Sequence, residues 1–132
     1  MNVLRKLYKE LTSLHWEIGF LDNTFEGIVK GDELKLTLVT HNFPNSWFAD
    51  PFILDVTEDT IIVLVEEVTK KISKGRISKL VIDRRNNYVI EKKVILERPG
   101  HLSFPIIYRK DDKIYVYPEN SEDGVLNIYE RS

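Results

Sequence analysis

The stretch Asp50-Pro51-Phe52-Ile53-Leu54 decides the fold, because a second version of it follows later in the chain. It aligns with Phe104-Pro105-Ile106-Ile107-Tyr108 at an offset of 54 residues, and residues 59–66 then align with residues 112–119 at an offset of 53. Each unit predicts a short strand opened by proline, a charged turn, a strand ending in glutamate, a glycine turn and a further strand. A repeat of about 50 residues with three or four strands is typical of a β-propeller blade.

The rest of the chain also predicts short strands separated by polar turns, a pattern typical of antiparallel β architecture. Residues 1–14 instead predict a helix, since Leu4, Leu7 and Leu11 share one face at helical spacing. We therefore predict an all-β fold of two propeller-like blades with a short N-terminal helix. The alternative is a sandwich that contains two similar hairpins.

Composition excludes several classes of protein. The 19 basic and 21 acidic residues give a net charge of -2, which argues against a nucleic-acid partner. The sequence has no cysteine, so disulfides, thiolate nucleophiles and cysteine-based zinc sites are excluded. Its 3 histidines lack metal-ligand spacing and no glycine-rich phosphate loop is present, so we expect neither a metal nor a cofactor.

Hydropathy and length give further expectations about where the chain is located and how many domains it has. The longest apolar run, residues 61–65, is far shorter than the roughly 20 residues of a membrane-spanning helix. The N-terminus has no apolar signal core, which predicts a cytoplasmic chain or a trimmed piece of a larger one. The length of 132 residues predicts one domain. In it, residues 1–14 form the helix, 15–97 the first blade with its lead-in strands, and 98–132 a second, incomplete blade.

Asp50 is the strongest candidate for chemistry. It follows Trp47 and Phe48, and a carboxylate beside large aromatic side chains is partly desolvated, which raises its pKa and suits a general base. Aromatic faces also bind the apolar faces of sugars. The alternative is that both aromatic residues belong to the core and Asp50 caps a turn.

Two further carboxylates, Glu66 and Glu119, end equivalent strands in the two units. Glycoside hydrolysis uses paired carboxylates, one as acid and one as base or nucleophile. Glu67 follows Glu66 directly, so either of the two could face the site. His101 is a candidate for substrate binding or proton transfer, and its alternative is a loop hydrogen bond.

Five motifs in this order carry a family resemblance: Trp16-Glu17-Ile18-Gly19, Trp47-Phe48-Ala49-Asp50-Pro51-Phe52, Gly75-Arg76-Ile77-Ser78, His101-Leu102-Ser103-Phe104-Pro105 and Tyr115-Val116-Tyr117-Pro118-Glu119. Together they resemble the N-terminal domain of glucosamine inositolphosphorylceramide transferases. That domain is similar to the five-bladed propellers of the arabinanase, levansucrase and invertase superfamily, which includes family 43 glycosidases.

The resemblance implies site residues and an incomplete ring. Asp50 matches the base of the inverting family 43 hydrolases, whereas Phe104 stands where those enzymes carry a second aspartate. Their acid would lie on a blade outside this chain unless Glu119 replaces it. Because the chain covers about two of five blades, the resemblance implies self-association or the remainder of a longer chain as a partner.

Three functions follow, with carbohydrate as the expected ligand. We favour a glycan-binding or glycan-processing module, with Asp50 and Glu119 as the catalytic candidates. The alternatives are an inverting glycosidase with Asp50 as base, and a structural fragment without activity of its own. The substrate-binding candidates are Trp47, Phe48, Glu66, His101, Ser103 and Tyr117.

Overall fold

The computed structural model describes residues 3–4 and 15–130. Of the helix predicted over residues 1–14, only Val3 and Leu4 lie within that part, and both are helical. The rest of that prediction lies outside the described residues. Of the helices in the described part, none has both the length and the apolar content that crossing a membrane requires.

The predicted all-β class is confirmed, and the named strands pair antiparallel in three sheets. The first sheet contains β1 (Gly19–Leu21) and β2 (Leu36–Leu38), which flank the short helix α1 (Phe25–Lys30). The second is a four-stranded meander of β3 (Ser46–Val56), β4 (Thr60–Thr69), β5 (Arg76–Asp83) and β6 (Tyr88–Leu96). The third contains β7 (Ser103–Lys110), β8 (Lys113–Glu119) and β9 (Tyr129–Glu130).

Strand β4 is buried on both faces of the four-stranded sheet. Successive side chains of a strand point to opposite faces. Val63 and Val65 therefore join one core cluster, which also receives Ile18 and Val39 from the segments before β1 and after β2. Leu64 joins a second cluster on the other face, which receives side chains from the third sheet. Full burial of one such side chain contributes roughly 1.5–3 kcal/mol, so β4 connects the two cores energetically.

The sequence repeat is also a repeat of backbone geometry. Asp50 and Phe104 both have a φ of 49°, in the left-handed region that few residues other than glycine adopt. At each of these positions the strand pairing shifts register, between Ala49 and Phe52 in β3 and between Ser103 and Ile106 in β7. Each unit thus carries a β-bulge immediately before its proline, and such bulges re-aim side chains.

The two larger sheets meet where β7 contacts β3, β4 and β5. The Leu102 amide donates to the Gly75 carbonyl at 2.9 Å, which joins the β4–β5 loop to the segment before β7. The Arg109 guanidinium donates to the Leu54 carbonyl. Because the second core cluster and these hydrogen bonds lie on the same side, this face of β4 lies against the third sheet.

Glu67 lies on the opposite face and is fully buried. Burial favours its protonated form, but Lys92, Ser78, Ser46 and Arg76 all donate to the carboxylate, and together they lower its pKa to about 2. The Ser78 and Ser46 hydroxyls lie 2.6 and 2.8 Å from its oxygens, and Arg76 Nε lies at 3.2 Å. Four donors thus satisfy the Glu67 carboxylate, and its role is structural.

We expect Glu67→Ala to destabilise the fold by about 3–5 kcal/mol, because it removes the buried carboxylate that pairs with the largely buried cations Lys92 and Arg76 and leaves Lys92 without an ion-pair partner in the described part of the chain. Glu67 stabilises the fold above pH 4.5, its ordinary pKa, and this contribution is lost as pH falls toward 2. Urea denaturation of the wild type and Glu67→Gln across that range measures it. Glu91→Ala, which removes an exposed ion pair with Lys79, is the control and should cost less than about 1 kcal/mol. An equally small cost for Glu67→Ala would contradict the assignment.

Candidate functional site

An open pocket of about 390 Å³ lies on the face of β4 that is turned toward the third sheet. It is bordered by β3, β4, the segment before β1 and the segment before β7. Its lining residues are Trp16, Trp47, Ala49, Asp50, Glu66, Val68 and His101.

Strand register explains most of this lining. Ala49 pairs with Glu66 and Trp47 pairs with Val68, and directly paired residues of antiparallel strands point to the same face. Asp50 is adjacent to Ala49 and would point to the other face in a regular strand. The bulge at Asp50, with its φ of 49°, accounts for two successive residues lining one pocket.

Asp50 and Glu66 form a carboxyl pair. Burial, a hydrogen bond with Asp50, and the negative charges of Asp50 and Glu119 raise the pKa of Glu66 to about 7. Two neighbouring carboxyl groups cannot both ionise at low cost, so about half of the Glu66 side chains carry a proton near pH 7. The pocket can therefore both donate and accept hydrogen bonds at its acidic end.

His101 fixes the other side of Glu66. Its Nδ1 accepts from the Gly75 amide at 3.0 Å, so the ring proton is assigned to Nε2, which lies 3.1 Å from Glu66 Oε1. A Cβ at Gly75 would lie 2.3 Å from the Leu102 carbonyl and 2.6 Å from Glu66 Oε1. Only glycine fits there without displacing the loop, so Gly75 supports the positions of both His101 and Glu66.

The predicted site residues fall into two groups. Trp47, Asp50, Glu66 and His101 meet in the pocket. Glu119 is exposed at the end of β8 and acts on Glu66 through its charge.

The other predicted site residues lie outside the lining. Ser103 pairs with Glu119 across β7 and β8, and Tyr117 is half-buried within β8. Phe48 is 1% exposed in the core, because it points away from its neighbour Trp47. Its ring packs edge-on against His41, with ring centroids 4.9 Å apart.

Four contributors were not predicted from the sequence as site residues, and one of them, Ala49, lines the pocket beside Asp50. Trp16 and Val68 line the pocket, and Gly75 supports it from behind. Trp16 belongs to the first of the five motifs that carry the family resemblance, and this motif could have indicated it as a site residue. Among the described residues, no group of three or more histidine or acidic side chains is arranged to hold a metal ion.

Glu66 should make stability depend on pH in a definite direction. Its pKa is raised on folding from 4.5 to about 7, so its stabilising contribution is complete below pH 4.5 and is lost as pH rises through 7. Glu66→Gln cannot ionise and should be more stable than the wild type at pH 8 by about 1–3 kcal/mol, with a smaller difference at pH 5. Urea denaturation at both pH values measures this.

Glu66→Gln must be compared with the wild type at each pH, because His41 changes the stability of both proteins with pH in the opposite direction to Glu66. Burial is the main cause that lowers the pKa of His41. Glu58→Gln, on the exposed β3–β4 turn, is the control and should follow the wild type at both pH values. A stability difference between Glu66→Gln and the wild type that does not change with pH would rule out the raised pKa of Glu66.

Gly75→Ala should destabilise the protein by roughly 1–3 kcal/mol, because the added methyl group overlaps a backbone carbonyl. It should also disrupt the contact between His101 and Glu66, which a change in the NMR chemical shifts of the His101 ring at one fixed pH would report. Gly100→Ala is the matched control, since its Cβ would meet only side-chain atoms, at 3.3 Å. Equal effects of the two substitutions would contradict this role of Gly75.

Comparison with known proteins gives a consistent assignment. A family model described as "Glucosamine inositolphosphorylceramide transferase 1, N-terminal" matches residues 35–132. The protein named glucosamine inositolphosphorylceramide transferase 1 from Arabidopsis thaliana is 30% identical over 86 residues, which are 65% of this chain and 11% of that protein. The protein of the same name from Oryza sativa subsp. indica is 27% identical over 88 residues, which are 66% of this chain and 12% of that protein.

The matched part of the chain thus spans only about a ninth of the length of these relatives. No solved structure matches it. The family match extends from just before β2 to the end of the chain and includes Asp50, Glu66, Gly75 and His101. The chain belongs to the glucosamine inositolphosphorylceramide transferase 1 N-terminal family.

Proposed function

We propose that this chain is a sugar-binding module of a protein that glycosylates a lipid or another glycoconjugate. The observation that carries this proposal is the convergence of Trp47, Asp50, Glu66 and His101, which come from three separate segments of the chain, in one open pocket. Trp16 and Trp47 supply aromatic faces beside a carboxyl pair. Such a combination of apolar surface and a few fixed polar groups is what small-ligand sites use.

The chemistry of the pocket suits a sugar ring with neutral or cationic substituents. Its charged lining groups are the carboxyls of Asp50 and Glu66, which accept hydrogen bonds from hydroxyl or ammonium groups. Hydrogen bonds to charged groups contribute about 1.5–3 kcal/mol each, more than neutral ones. A sugar carboxylate or phosphate would instead face like charge.

The names of the relatives support the same class of ligand. They contain glucosamine and inositolphosphorylceramide, for proteins of which this chain covers 11–12%. An ammonium group at C2 would complement Asp50 and Glu66, so glucosamine is the first ligand to test. Because the chain matches so small a part of these proteins, we assign it binding rather than sugar transfer.

We also propose that the two larger sheets are neighbouring blades of a propeller-like ring. The matching bulges at Asp50 and Phe104 and the contact between the first strands β3 and β7 support this arrangement. In a propeller these first strands line the central channel. A second copy, or the remainder of a longer chain, would complete the ring.

Glycoside hydrolysis is the second candidate, and one observation favours it. A Glu66 pKa of about 7 is suited to a general acid at neutral pH. However, inverting hydrolysis needs its two carboxyl groups about 6.5–9.5 Å apart to admit a water molecule. Asp50 and Glu66 are hydrogen-bonded to each other instead, so sugar binding is the better-supported function.

Sugar binding can be tested by calorimetry with glucosamine, glucose and glucuronate. We expect glucosamine to bind most tightly and glucuronate most weakly, and Trp47→Ala to weaken glucosamine binding at least about tenfold. Phe25→Ala removes an aromatic side chain that is 80% exposed on α1, and it should leave binding unchanged. Equal effects of the two variants, or no binding of any of the three sugars, would refute the proposal.

Hydrolysis can be tested with aryl glycosides of neutral sugars. We expect no turnover above the uncatalysed rate for the wild type or for Asp50→Asn. Turnover by the wild type that Asp50→Asn abolishes would establish the hydrolase function in place of binding alone.

A further inference from the structure

A second cavity of about 400 Å³ lies between the face of β5 and β6 and the face of β8 and β9. Its floor belongs to the second core cluster, and it is separate from the sugar pocket in its lining residues. The apolar lining residues are Leu54, Leu64, Ile95, Leu96, Ile114 and Val116. Its volume falls within the range of roughly 300–1,000 Å³ that small-molecule sites occupy.

Two lysines lie together at this second cavity, which is an open groove between the two sheets. Lys79 and Lys93 are direct partners in the β5–β6 register, and both line the groove. Like charges placed directly opposite each other destabilise a sheet. Lys79 forms an ion pair with Glu91 at 2.9 Å, whereas Lys93 has no ion-pair partner among the described residues.

A tyrosine hydroxyl adds a second unsatisfied group. Tyr129 lines the groove, and its hydroxyl is buried without a hydrogen-bond partner in the described part of the chain. Its neighbour Glu130 also lines the groove, but its charge is matched by Lys113 at 2.9 Å. Burying a hydroxyl without a partner costs free energy, so a ligand oxygen that accepts from Tyr129 would be favoured.

We propose that this groove binds the hydrocarbon chain of a monomeric fatty carboxylate, with the carboxylate placed at Lys93 and the Tyr129 hydroxyl. The apolar floor suits the chain, and the uncompensated cation and free donor suit an anionic head that accepts hydrogen bonds. A second copy of the protein or an added peptide strand would supply apolar surface without a requirement for the anionic group. The proposal is independent of the sugar pocket.

The test is calorimetric titration of the full chain with decanoate, and with decanol and decyltrimethylammonium as ligands of the same chain length. We expect one decanoate per chain, with at least about tenfold weaker binding of the neutral and cationic ligands. Equal binding of all three ligands would refute the role of Lys93. No binding of decanoate up to about 1 mM would refute the site itself.

Matched variants locate the site. Ile95→Trp fills the groove and should weaken decanoate binding about tenfold or more, whereas Ile90→Trp changes an exposed side chain of the same strand outside the groove and should have no effect. Lys93→Glu should weaken binding to a similar extent, with Lys35→Glu on the segment before β2 as its control. Equal effects within either pair would overturn the proposal.

Tyr129→Phe separates ligand binding from folding. It removes an unsatisfied donor, so the stability of the ligand-free protein should be unchanged or increased while decanoate binding weakens severalfold. A loss of stability would show that the hydroxyl is already satisfied. Binding to vesicles of phosphatidylcholine and phosphatidylglycerol without binding to monomeric decanoate would likewise contradict the proposal.

Discussion

The burial of β4 on both faces is the constraint on which the rest of the structure depends. Two consecutive glutamates lie near the end of this strand, and alternation sends them to different environments. Glu67 receives hydrogen bonds from lysine, serine and arginine side chains and stays ionised, while Glu66 meets other carboxyls and retains a proton near neutral pH. The same residue type thus serves as a structural anion on one face and as a proton-holding group on the other.

The sequence repeat predicted the strands and the equivalent positions of Glu66 and Glu119, since hydrophobic alternation and turn residues are local signals. It did not predict helix α1, although Thr24 caps it through a bond to the Gly27 amide at 3.1 Å and Gly31 ends it in the left-handed conformation. A helix of 6 residues contains too few turns for periodicity to reveal it.

Residue types at the site were predictable, but their pairing was not. Asp50 was expected to work with Glu119, and its direct partner is Glu66. Pairing depends on the bulge that turns Asp50 toward its cross-strand neighbour, and a φ angle is not visible in a sequence pattern. The core position of Phe48 follows from alternation alone once Trp47 faces the pocket. The role of Gly75 depends on a contact with the segment before β7, which only the folded chain reveals.

The matching bulges at Asp50 and Phe104 show that the same backbone geometry can present side chains of different chemistry. Both positions have the same φ and are followed by proline. In each unit a glutamate of the neighbouring strand forms the last pair before the register shift. Yet one position carries a carboxylate and the other an aromatic ring. The backbone therefore bears the cost of an unusual conformation in both units, whatever side chain is presented. A protein assembled from such units can change its chemistry at single positions, because the scaffold that aims the side chain is already in place.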